Sequence, residues 1–150
     1  MGQSLVKNYL HIVFSTKNRK PLIDEDIENE LYSYLTGICN KLECYPIKVG
    51  GHTNHVHVLC NLSKKMALVK LMEELKSHSS KWIKTKGDKY SNFYWQDGYG
   101  AFSVNPREVE VVVKYIENQK EHHRKKSFQE EFVAFLEKYN VEFDEKYVWL

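Results

Sequence analysis

Four side chains of this 150-residue sequence are of types and spacings that could do chemistry together: His55, His57, Tyr115 and Gln119. The histidines stand two apart in Asn54-His55-Val56-His57-Val58-Leu59, a run of strand formers. Side chains two apart on a strand share a face, so His55 and His57 project together while Val56, Val58 and Cys60 point the other way into a core. Two neutral imidazoles on one rigid face are two ligands of a divalent metal. Taken alone, such a pair more often makes ordinary hydrogen bonds, and the metal reading needs a third ligand and a group for the metal to serve. A helix expected over residues 106–122 offers both. Val109, Val112, Val113 and Ile116 recur at i, i+3, i+4 and i+7 and form its core stripe. Tyr115 and Gln119 lie one turn apart, about 90° round from the centre of that stripe, at the edge of the packed surface. The carbonyl oxygen of Gln119 can be a third ligand, and three protein ligands leave positions open for water and a phosphate oxygen. Tyr115 is the candidate nucleophile. Its phenol, with an ordinary pKa near ~10, is protonated at neutral pH. As a leaving group it is better than an alkoxide, so a phosphotyrosine link can form and be reversed, and a metal on His55 and His57 would polarise the phosphate under attack.

The elements that must position these groups follow from periodicity. Residues 9–15 read as a first strand and residues 16–21, ending at Pro21, as a basic loop. Asp24 is expected to cap a helix running to about Leu42 with Ile27, Leu31, Leu35, Ile38 and Leu42 as its apolar stripe. Residues 45–49 form a second strand, Gly50-Gly51 a turn, and residues 54–61 the histidine strand, in an antiparallel hairpin. Ser63 should cap a helix that ends at Gly87 and buries Leu68, Leu71, Met72, Leu75, Trp82 and Ile83. Residues 93–104 hold a fourth strand, turned at Gly98 and Gly100. Asn105, Pro106 and Glu108 give the next helix a capping-box-like start. Ser127 with Glu130 opens a last amphipathic helix through Phe128, Phe132, Phe135, Leu136 and Tyr139, and an aromatic tail, residues 141–150, packs on this chain or a partner. The order β-α-β-β-α-β predicts an α+β, ferredoxin-like (RRM-like) antiparallel sheet. Its first and third strands are central and two helices cover one face. The other face is free for a ligand or for the added catalytic and C-terminal helices.

Length predicts a single domain over residues 1–150, with no internal repeat or linker. A hydrophobic content of 42% and a charged content of 28% describe an ordinary soluble domain. Cys39, Cys44 and Cys60 are odd in number and form no C-x-x-C pair, which argues against disulfides and a zinc ribbon and fits a reducing cytoplasm. No run approaches the ~20 apolar residues of a membrane span, and residues 1–7 show no signal-peptide pattern. A net charge of +2 does not announce a nucleic-acid binder, but Lys17, Arg19 and Lys20 cluster after the first strand, and Arg124, Lys125 and Lys126 follow His122 and His123. Such local patches can meet phosphate, although charge runs of this size are more often solvated faces.

Over most of its length the chain resembles the single-tyrosine HUH transposases of small bacterial insertion sequences (insertion sequence 200/605 type). The residues that carry the resemblance are the opening strand Leu10-His11-Ile12-Val13-Phe14-Ser15-Thr16, the metal strand His55-Val56-His57-Val58-Leu59 and the run from Trp95-Gln96-Asp97-Gly98-Tyr99 through Val104. It continues in Tyr115-Ile116-Glu117-Asn118-Gln119-Lys120-Glu121-His122-His123 and in Ser127-Phe128-Gln129-Glu130-Glu131. His-x-His alone is weak, whereas the long ordered set is specific. The resemblance implies a single-stranded DNA transposase acting at imperfect hairpins near element ends. Tyr115 would attack a DNA phosphate to give a 5′-phosphotyrosine and a free 3′-hydroxyl. His55, His57 and Gln119 would hold Mg²⁺ or Mn²⁺, and rejoining would need no ATP. It also implies a homodimer in which the tyrosine helix of one subunit can complete the other's histidine site. Lys17, Arg19, Lys20, Arg124, Lys125 and Lys126 are charge-based candidates for DNA contact. Two alternatives stand beside this reading. A rolling-circle initiator or relaxase usually pairs its tyrosine with a lysine and often has a third histidine. A non-catalytic single-strand binder would stack bases on an open sheet face.

Overall fold

In a computed structural model, which describes residues 2–149, the period-two segments form one four-stranded antiparallel sheet. Met1 and Leu150, the outer ends of the two terminal segments considered above, lie outside the described residues. β1 (Tyr9–Ser15), β2 (Tyr45–His52), β3 (His55–Asn61) and β4 (Gly100–Ser103) stand in the order β2-β3-β1-β4, so the first and third strands are central, as the ferredoxin-like pattern requires. On one face, Ile12, Phe14, Val56, Val58 and Cys60 meet α1 (Glu28–Lys41) through Leu31, Leu35 and Cys39, and α2 (Leu68–Lys84) through Leu71, Leu75 and Ile83. All of these are buried, each large apolar side chain contributing about 1.5–3 kcal/mol of transfer free energy. The alternation that sends them to this face sends His11, Val13, His55, His57 and Leu59 to the other.

The second face is not open. Ile116 of α3 (Val109–Glu117) packs on Leu59, and Phe128 and Leu136 of α5 (Phe128–Lys138) pack with Val13 and Phe102. The short α4 (Gln119–His122) lies between them in the chain. The tail packs on its own chain: Phe143, Val148 and Trp149 join the cluster around Phe128. The stacking surface that a bare ferredoxin-like binder would offer is therefore covered by α3, α5 and the tail.

Several expected boundaries move, each for a local reason. Gly50 and Gly51 are not the hairpin turn but the end of β2, and the turn falls at Thr53-Asn54. A Cβ on Gly50 would lie 2.8 Å from Ile116 Cγ2 and 3.3 Å from the Ile116 carbonyl oxygen, so the glycine is there to let α3 lie directly on the sheet. Asp24 accepts from the Ile27 N–H, at 3.2 Å, in the turn before α1 rather than at its first residue. Ser63 likewise accepts from the Lys65 N–H in a separate turn, and α2 begins at Leu68. The fourth strand is only Gly100–Ser103, with Trp95 making an isolated bridge to Thr16. The helix expected over residues 106–122 is three pieces: a 3-10 turn at Pro106–Glu108, where Asn105 caps the Arg107 N–H at 2.9 Å, then α3, then α4 after a break at Asn118. Of its core stripe only Ile116 is fully buried, while Val109, Val112 and Val113 are half-buried against it. Ser127 and Glu130 do form a reciprocal capping box on α5. Among the described residues no helix is long and apolar enough to cross a membrane.

Candidate active site

β3 is hydrogen-bonded on both sides, to β1 and β2, so the histidine pair sits on an interior strand of the sheet. Both rings are fully buried. Each has its outer nitrogen engaged. His55 Nδ1 lies 2.8 Å from Asn54 Oδ1, to which it donates, and Asn54 Nδ2 in turn donates to the Arg19 carbonyl at 3.3 Å. His57 Nδ1 lies 2.7 Å from His11 Nε2. If His57 keeps the Nε2 lone pair free for an ion, its Nδ1–H donates to His11. Both rings then show the outer-nitrogen bond that orients ligating histidines. Burial, with His57 beside it, pushes the His11 imidazole well below its ordinary value and favours its neutral, accepting form. Burial likewise brings His55 down to about 4 against the raising effect of nearby Glu131, so it stays neutral.

The helical half of the site reaches these rings across Gly50. With α3 seated on β2, the Tyr115 ring stands 5.7 Å, centroid to centroid, from His57 and 6.2 Å from His11. The break at Asn118 does not part Gln119 from Tyr115, since Gln119 Nε2 still reaches the Tyr115 carbonyl at 3.5 Å. Gln119 Oε1 lies 2.9 Å from His55 Nε2 and 3.0 Å from His123 Nε2. The four residues singled out from the sequence thus meet in one place, and within one chain.

At their centre is a residue of the run Ser127–Glu131 to which sequence reading assigned no role. Glu131 of α5 is 2% exposed and is surrounded by the whole set. Its Oε1 lies 3.1 Å from His57 Nε2 and 3.4 Å from His55 Nε2. Its Oε2 accepts from the Tyr115 hydroxyl, from Gln119 Nε2 at 3.2 Å, and stands 3.2 Å from His122 Nε2 and 3.3 Å from His123 Nε2. Burial would raise this carboxyl, but the imidazoles of His123, His55 and His57 around it outweigh burial and hold the group well below the usual carboxylate range. The carboxylate acts outward in turn. Burial, then Glu131's charge and hydrogen bond, push the Tyr115 phenol far up, whereas His123 is raised because Glu131 overcomes its burial. Phe128, Phe132, Phe135 and Leu136 form the apolar stripe of α5, and Glu131 falls within it by helical spacing. A carboxylate inside an apolar stripe was the available signal. Gly100 completes the seat: a Cβ there would lie 2.7 Å from the Phe132 ring, the residue after Glu131.

The side chains of the basic candidates are not among the contacts of this cluster, although His123 Nδ1 lies 2.8 Å from the Lys126 carbonyl. Lys17 and Lys20 are exposed at the end of β1, in the loop that Asn54 ties to His55. Arg19 is half-buried, donates to the Trp149 carbonyl at 3.2 Å and stacks over the Trp149 ring at 5.3 Å. Lys125 and Lys126 are exposed between α4 and α5, and Arg124 pairs with Glu121 at 3.4 Å.

Residues 4–119, from before β1 to Gln119, match the family described as Transposase IS200 like. The chain belongs to that family. Its members are HUH tyrosine transposases, DNA-recombining enzymes that use a divalent metal. Two solved structures share the fold of this IS200-like transposase. One, from Deinococcus radiodurans R1 and assigned as a transposase, superposes with a TM-score of 0.61 at 19% identity, covering 79% of this chain and 96% of that one. The other, a REP-associated tyrosine transposase bound to a REP hairpin, gives a TM-score of 0.58 at 14% identity over 82% of this chain and 73% of that one. No curated protein sequence matches the chain. The metal that the family implies fits the donor set of this transposase. His55, His57 and Glu131 offer ligand atoms within 4.8 Å of one another, with Gln119 Oε1 adjacent. The family match ends at Gln119, so α5 and Glu131 lie beyond the matched residues.

Proposed function

We propose that this transposase cleaves and rejoins single-stranded DNA at hairpin-marked element ends through a 5′-phosphotyrosine on Tyr115. The observation that carries the reading is the convergence, in one chain, of the Tyr115 hydroxyl with His55 Nε2, His57 Nε2 and Gln119 Oε1 around a shared carboxylate. The Tyr115 oxygen forms a bond to phosphorus as the bond from phosphorus to the 3′ oxygen breaks. The 5′ side stays on Tyr115, and the leaving oxygen becomes a 3′-hydroxyl, its proton balancing the one lost by the phenol. One phosphodiester replaces another, so a 3′-hydroxyl can reverse the step without ATP. His55, His57 and Gln119 would hold a divalent metal, which when bound supplies Lewis-acid activation of the phosphate. Two imidazoles suit Mn²⁺ better than Mg²⁺, which prefers oxygen ligands.

The hairpin part of the reading is supported by the hairpin-bound structural neighbour and by the exposed Lys17, Lys20, Lys125 and Lys126 flanking the site, with Arg19 and Arg124 in the same two clusters. A homodimer belongs to the proposal through the family resemblance alone, because one chain already assembles the Tyr115 site; sedimentation velocity tests it. The test of the chemistry is to incubate labelled hairpin-bearing single-stranded DNA with Mn²⁺ and the protein. A denaturation-resistant protein–DNA adduct is expected, absent for Tyr115→Phe. His57→Ala should lose cleavage while retaining most hairpin affinity, because metal activation and backbone contacts are separable. Binding by the wild type without any adduct would reduce the chain to a single-strand binder.

A further inference from the structure

We propose that Glu131 is a fourth metal ligand that ties the ion to the nucleophile, Oε1 binding the metal while Oε2 holds the Tyr115 hydroxyl. This rests on the metal reading above and extends it beyond His55, His57 and Gln119.

The distances carry the inference. Ligands bound at ~2.1 Å and 90° apart around an octahedral ion lie ~3.0 Å from one another. His55 Nε2 to Gln119 Oε1 is 2.9 Å, His57 Nε2 to Glu131 Oε1 is 3.1 Å, and His55 Nε2 to Glu131 Oε1 is 3.4 Å. The first two contacts have the length of an octahedral edge, the third is somewhat longer, and Glu131 Oε1 faces both imidazoles at once. The other oxygen is pinned by Tyr115, Gln119, His122 and His123, which fixes the plane of the carboxylate and keeps Oε1 pointed at the pair. A carboxylate 2% exposed must be paired or bind a metal; Oε2 has its partners in Tyr115, Gln119, His122 and His123, and a divalent ion between Oε1 and the two imidazoles would serve the other oxygen. With an anionic oxygen added to two nitrogens and an amide oxygen, the site suits Mn²⁺ and becomes more hospitable to Mg²⁺ than His55, His57 and Gln119 alone.

The experiment is Mn²⁺ binding, read from the free-ion signal in electron paramagnetic resonance, on the full-length protein without DNA. Wild type should bind and His57→Ala should not. Glu131→Gln, which keeps shape and a neutral oxygen, should weaken binding on the order of tenfold, and Glu131→Ala on the order of a hundredfold, by the scale seen when groups around a metal site are removed. Glu131→Asp retains the charge among the histidines but withdraws the oxygen by one methylene, so it should fold and still bind more weakly than wild type. At saturating Mn²⁺, Glu131→Gln should also cleave more slowly, because the Tyr115 anchor is altered even when the ion is present. Wild-type or tighter Mn²⁺ affinity in all folded Glu131 variants, with His57→Ala still defective, overturns this proposal and leaves the metal reading standing. Absence of Mn²⁺ binding by the wild type, or unchanged binding by His57→Ala, overturns both.

Discussion

Gly50→Ala tests whether the approach of α3 to the sheet sets the position of the nucleophile. The added Cβ would stand 2.8 Å from Ile116 Cγ2 and 3.3 Å from the Ile116 carbonyl oxygen. Contact between carbons is comfortable at about 3.5–4.0 Å, so the first clash needs roughly 0.7–1.2 Å of relief. A rotamer change of Ile116 can relieve Cγ2 but not the backbone oxygen, and the side chain is 2% exposed with little room to turn. Part of the relief must come from lifting α3 off β2, at an overpacking cost of about 1–3 kcal/mol. Tyr115 is the residue before Ile116, so its hydroxyl moves with the helix. A misplacement approaching 1 Å at a reacting atom costs on the order of 10²-fold in rate. The expected result is a folded protein with a lowered melting temperature and single-turnover adduct formation down by one to two orders of magnitude. Of the proposed ligands only Gln119 follows α3, while His55 and His57 belong to β3 and keep their Asn54 and His11 partners, so Mn²⁺ affinity should fall less than the rate. Cleavage at the wild-type rate would refute the role of the close approach. An equal fall in Mn²⁺ affinity and rate would instead place the effect at His57, which Gly50 faces across the β2–β3 ladder.

Two further outcomes follow from the same geometry. His11→Leu removes the acceptor for His57 Nδ1 and should weaken Mn²⁺ binding on the order of 10- to 100-fold by isothermal titration, with Tyr115 unmodified; unchanged affinity would show that His57 needs no such anchor. Acid should destabilise the fold well before general acid unfolding. The unfolded chain protonates His55 near its ordinary value of 6.5 while the folded one resists until about 4, so the unfolded state binds more protons between those values and stability falls as pH drops through that window. The 2.5-unit gap, 6.5 less 4, amounts to about 3 kcal/mol, and Glu131, held below the ordinary carboxylate range, adds loss in the same direction as pH falls below 4.5. Urea midpoints at pH 7, 5.5 and 4.5 should decline stepwise, and a flat series would contradict a neutral buried His55.

What was legible in the chain is what a single element encodes. Alternation around His55-Val56-His57 assigned both the shared face and the core face, and the period of α3 placed Tyr115 at the edge of its stripe. The order of elements was enough for the sheet β2-β3-β1-β4. The misreadings share a different cause, in that the reason for each residue lies on another element. Gly50-Gly51 resembles a turn locally, yet Gly50 exists for Ile116, more than sixty positions away in a different layer. His11 alternates like any strand residue, and only the β1–β3 register, which sets Val13 opposite His57, brings the two rings together. Glu131 is the extreme case. Its partners come from β3, α3, α4 and the turn after it, and nothing nearby in sequence distinguishes it from a solvated helical glutamate except the phenylalanines around it. The unread residues are therefore those that couple the parts of the site: His11 steadies a ring, Gly50 sets a helix height, and Glu131 joins the ring pair to the phenol. A search for ligand-type residues by spacing finds the groups that react. The groups that hold them in register become visible when one asks which polar or glycine residue interrupts an apolar stripe, and Glu131 within the α5 stripe answers that question from sequence.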